Sequence, residues 1–105
     1  MNIELIMSNK DGTSRSFVLN EDCTTIGRRR SCDLHVAIPT IEPVHCEITI
    51  KEEVVKLTSR ATEGKTLHNN LAVDSADLKN LDTVTVGPVE FTVKITDEET
   101  VIRRL

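Results

Sequence analysis

The stretch Thr25–Ile48, "TIGRRRSCDLHVAIPTIEPVHCEI", decides how the chain folds. A β-branched run stops at Gly27, and three arginines, Arg28, Arg29 and Arg30, follow directly. The next piece, "DLHVAI", alternates so that Leu34, Val36 and Ile38 share one side, as residues two apart do on a strand. Pro39 and Pro43 then bracket a loop, because proline has no amide proton to give to a ladder. Alternation resumes in "HCEITIKEEVVKL", with Cys46, Ile48 and Ile50 facing one way and a turn near Lys51, Glu52 and Glu53.

The same grammar extends to both ends. "NIELIM" puts Ile3, Leu5 and Met7 on one face and pairs with "SFVL" across the turn signal "NKDG". "TVTVGPVEFTVKI" is a third hairpin, turning at Gly87 and Pro88, and short apolar pieces lie around Leu67 and "LAV". No run has the length and 3.6-residue period of an amphipathic helix. The chain of 105 residues has no Trp or Tyr and only Phe17 and Phe91, so Ile, Leu and Val must fill its core. These features predict one all-β domain, an antiparallel sandwich or barrel, over residues 1–96. The tail from 97 to 105, within "TDEETVIRRL", begins acidic and ends basic, which suits either a short helix or a frayed end.

A formal net charge of -4 excludes a general nucleic-acid or anionic-membrane binder, since no basic excess is present to displace counterions. "MNIELIMSNKDG" lacks the basic start and apolar run of a signal peptide, and no segment approaches the ~20 apolar residues of a span. The expectation is a soluble, cytoplasmic protein. Cys23, Cys32 and Cys46, odd in number, read as reduced thiols. Cys32, His35, His45 and Cys46 raise the question of zinc, but neighbours on a strand point to opposite faces, so His45 and Cys46 do not share an ion, and no metal or other cofactor is expected. No nucleophile elbow and no glycine-rich phosphate loop is present, and "EGKT" lacks the upstream glycine of a Walker motif. The chain is expected not to be an enzyme.

Taken in order, Gly27-Arg28, the Asp33-Leu34 strand, His45 entering the next strand and "LKNLDTVTVG" resemble the forkhead-associated (FHA) domain family, from about Ile3 to Ile95. The last segment is similar to the family's L-x-x-G-D-x-I-x-I-G, with Leu81 in place of glycine. The resemblance implies a sandwich of two twisted sheets whose loops at one end bind phosphothreonine peptides. It further implies that Arg28 faces the phosphate, that Gly27 and His45 support the site, and that the partner is a protein or phosphothreonine peptide. Oligomeric state, and whether the chain is part of a larger protein, are left open.

Two departures from that pattern carry the functional expectation. Where the family has a serine three residues before the histidine, Glu42 stands in "IEPVH". Where it has N-G-T, "EGK" places Glu63 at the asparagine and Lys65 at the threonine, unless the register slides to Asn69 or Asn70. A carboxylate about 6 Å from a phosphate of charge near -2 opposes it by roughly 1.4 kcal/mol in water-like dielectric. With the lost hydrogen bonds, the two glutamates together cost on the order of 3 to 5 kcal/mol. The leading expectation is therefore an interaction module with phosphothreonine recognition weakened or lost, in which Glu42 pairs with Arg28 and fills the phosphate position. Two alternatives are a working phosphothreonine reader using Arg28, Arg29 and Lys65, and a structural or assembly domain.

Overall fold

The computed structural model describes residues 2–8, 11–62 and 65–96. Eleven strands run in order: β1 (Asn2–Ser8), β2 (Ser14–Val18), β3 (Cys23–Gly27), β4 (Leu34–His35), β5 (Cys46–Lys51), β6 (Val54–Ser59), β7 (Thr66–His68), β8 (Leu71–Ala72), β9 (Ser75–Asp77), β10 (Thr83–Val86) and β11 (Val89–Thr96). They form a six-stranded sheet, β2-β1-β11-β10-β7-β8, and a five-stranded sheet, β4-β3-β5-β6-β9. The chain is all-β among the described residues, in two sheets, as its alternation predicts. The tail from 97 to 105 lies outside the described residues.

The three expected hairpins form with inward faces set by the period of two. Ile3 and Leu5 of β1, Ile26 of β3, Ile48 of β5, Val55 and Leu57 of β6, Val84 and Val86 of β10, and Phe91 and Val93 of β11 are buried in one core. Strands far apart in sequence meet in register, with β1 pairing along its whole length with β11 from Asn2↔Thr96 to Ser8↔Glu90.

The stretch "DLHVAI" departs from expectation. Only Leu34 and His35 pair, and they do so in parallel with Ile26 and Gly27, the one parallel ladder among the described strands. Val36 donates its amide to Gly27, but the Ile38 amide then turns back to the Val36 carbonyl and the Ile41 amide to Ile38. These successive tight turns lift the chain off the sheet edge before a longer strand can form. Val36 and Ile38 still pack on the core, so their alternation records burial and not pairing. The short polar strand β9 pairs with β6, an element that residue pattern alone did not reveal.

Candidate functional site

Three loops meet at one end of the sandwich: β3–β4, β4–β5 and β6–β7. Gly27 closes β3, and a methyl group there would lie 2.2 Å from the Pro43 carbonyl oxygen, so the β3 and β4–β5 backbones can approach this closely only without a side chain. The approach is locked by amides of Arg28 and Arg29, which donate to the carbonyls of Glu42 and Pro43 at 3.0 Å each. Within the Arg28 side chain, Nε donates to the Ile41 carbonyl at 2.9 Å and so orients the guanidinium plane. Ile41 itself is buried, and its side chain packs against the β10–β11 turn at Gly87, which has φ of +57°. Arg29 and Arg30 are exposed turn residues.

His45 ties the loops together from beneath. It is fully buried; Nδ1 accepts the Glu42 amide at 3.3 Å, and Nε2 lies 3.0 Å from the Lys65 carbonyl. An acceptor at Nδ1 and a carbonyl partner at Nε2 together place the ring proton on Nε2. Through this one imidazole the backbones of Glu42 and Lys65 are fixed relative to each other, while the Lys65 side chain is exposed.

The Glu42 carboxylate does not pair with Arg28 as expected from sequence. The ion pairs among the described residues are Arg60–Glu47 at 2.6 Å and His68–Asp82 at 2.7 Å. Glu42 Oε1 instead accepts from the Thr62 amide at 2.8 Å and from the Thr62 hydroxyl at 3.0 Å, crossing from the β4–β5 loop to the β6–β7 loop. Thr62, twenty residues from Glu42, was not a sequence candidate, since only the folded loops bring the two together. Glu63 lies outside the described residues. Asn69 and Asn70 make the β7–β8 turn, with φ of +50° and +71°, and Asn69 bonds to Thr83 and Asp82 away from the arginine loop.

Other polar groups have structural partners. Asp33 accepts from the Thr25 amide and hydroxyl, stapling the end of the β3–β4 loop to β3. Partial burial works to raise the Asp82 carboxyl, yet bonds from His68, the Lys79 amide and Asn69 outweigh it and hold the group below the usual carboxylate range. Burial pushes the Cys46 thiol up to about 12. No group of three His, Cys, Asp or Glu among the described residues is placed to hold a metal ion.

Two facing sheets with an arginine after the glycine of β3, and a buried histidine bracing the neighbouring loop, define an FHA fold. The structure superposes on the N-terminal FHA domain of S. cerevisiae Rad53p, solved with a phosphothreonine peptide, with a TM-score of 0.80 at 21% identity over 97% of this chain and 99% of that one. It matches the FHA domain of the CT664 protein from Chlamydia trachomatis with a TM-score of 0.86 at 14% identity, covering 92% and 100%. The FhaA FHA domain, solved with the intracellular domain of Rv3910, gives 0.79 at 25% identity, covering 88% and 99%. No curated protein matches in sequence. Residues 8–97 match the family described as the inner membrane component of T3SS, cytoplasmic domain (Yop-YscD_cpl), and the chain belongs to that family.

Proposed function

We propose that this chain is a non-enzymatic, cytoplasmic protein–protein interaction module of the FHA type in which phosphothreonine recognition is weakened or lost. The observation that carries this reading is the Glu42 carboxylate, held across the loop end by Thr62. It keeps a negative charge on the loop whose backbone bonds directly to Arg28, where the family pattern has a neutral hydroxyl. A phosphate about 6 Å from that charge is repelled by roughly 1.4 kcal/mol in water-like dielectric, about tenfold in affinity. The contacts of Glu42 also tie the β4–β5 and β6–β7 loops together, so the loop end is presented to a protein partner in a preset shape.

A phosphothreonine reader built on Arg28, Arg29 and Lys65 is the second reading. It is favoured by the oriented Arg28 guanidinium, which has no carboxylate within ion-pairing distance among the described residues. Titration of a degenerate phosphothreonine peptide library and its unphosphorylated counterpart separates the two. Weak binding without preference for phosphate is expected, with about a tenfold gain in that preference in Glu42→Ser. Tight binding by the unaltered protein that requires the phosphate and is abolished by Arg28→Ala would overturn the proposal.

A further inference from the structure

Among the described residues, the outer edge of the six-stranded sheet is open along β2. The other sheet edges, β8, β4 and β9, are two or three residues long, whereas β2 has five and, among the described strands, pairs only with β1. The Leu19 amide donates to the Ile3 carbonyl directly opposite, and in an antiparallel ladder bonded pairs recur every second residue. Arg15 and Phe17, opposite Met7 and Leu5, therefore bond inward to β1, and Ser14, Ser16 and Val18 turn their amides and carbonyls to the outside.

Beside this edge, where β2 of one sheet faces β4 of the other, lies a hollow of about 380 Å3. Met7, Phe17, Leu34, Val36 and Phe91 give it an apolar floor, and Arg15, Asp33 and His35 a polar rim. Its two charged walls differ. One oxygen of Asp33 accepts from the Thr25 amide and hydroxyl, whereas the Arg15 guanidinium lies over the Phe17 ring at 5.4 Å and is in neither of the ion pairs among the described residues. An occupant that matches both the hollow and its rim carries an apolar group and, next to it, a carboxylate.

We infer that the β2 edge and its hollow bind an extended strand of a partner protein, with an aliphatic side chain in the hollow and an acidic residue on Arg15. The added strand bonds to the backbones of Ser14, Ser16 and Val18, and its side chains on the inner face project over Phe17. Main-chain bonds supply affinity, and the hollow and Arg15 select the sequence. This surface is separate from the arginine loop.

The test uses random dodecapeptides displayed on phage and selected on the 105-residue chain, followed by calorimetric titration of the synthesised winners. Expected winners alternate apolar residues and carry an Asp or Glu. Their affinity falls at least tenfold in Ser16→Pro, which removes an outward amide that an edge strand can lose without breaking its own ladder. It falls similarly in Ala37→Trp, which fills the hollow from the opposite wall and serves where Ser16→Pro does not fold. Absence of any enriched peptide, or winners indifferent to both substitutions, overturns the inference. So does tight binding of decanoate that Ala37→Trp blocks and Ser16→Pro leaves intact, since it would identify a small amphiphile as the occupant.

Discussion

The two ends of the sandwich solve the same problem, reversing the chain, by opposite means. At the arginine-loop end, backbones are pressed so close that the residues are dictated: Gly27 lies against Pro43, and the Glu42, His45 and Arg28 side chains each bond to a neighbouring loop. At the other end, Glu52 and Glu53 in the β5–β6 turn and Leu81 before β10 sit at φ of +52°, +67° and +72°, where glycine or asparagine is the unstrained choice. The first end has close contacts and little freedom. The second accepts local strain at turns whose side chains are exposed. Precision is concentrated where loops must hold a surface.

Substitutions can break this contrast. Gly27→Ala should have the largest effect, a loss of about 3 kcal/mol or more in urea unfolding, because the clash is with backbone that cannot rotate away. His45→Ala should cost about 2 to 3 kcal/mol, since it empties a buried site and leaves the Glu42 amide and Lys65 carbonyl unpaired. A smaller loss at the same position would mean that the loops hold their shape without the imidazole. The lowered Asp82 group makes an acid-sensitive contribution at the opposite end. A carboxyl depressed in the folded state stabilises above its unfolded value, near 3.9, and the contribution is lost as pH falls through the lower folded value. Unfolding midpoints measured from pH 5 downward should therefore fall less steeply in Asp82→Asn. Leu81→Gly should have the smallest effect and the opposite sign, a gain of about 0.5 to 1 kcal/mol from relief of the left-handed backbone. A loss there would show that the 69% exposed Leu81 side chain makes a contact worth more than its strain.

The same contrast explains what could be read from residues alone. Hairpins β1–β2, β5–β6 and β10–β11 were legible because their inward residues alternate and their turns are local. β4 was not, since Val36 and Ile38 alternate in type yet leave the sheet through turns set by distant packing. Gly27, Arg28 and His45 stood out by order and spacing. The partner of Glu42 did not, because reaching Thr62 depends on how two separate loops are carried by two strands. Leu81 marks a position where the family's glycine has a plain physical reason, the positive φ, that this chain meets without it.

The full-length pairing of β1 with β11 sets an order on biosynthesis. β1 lies inside its sheet, between β2 and β11, so the hairpin made first has one unsatisfied flank until almost the whole domain has been translated. The Ile6 amide and carbonyl, turned away from β2, cannot find their partner before Thr92 has left the ribosome. A nascent chain halted anywhere before Val89 exposes that flank as a sticky template, and closure is a single late event that joins the two ends of the domain.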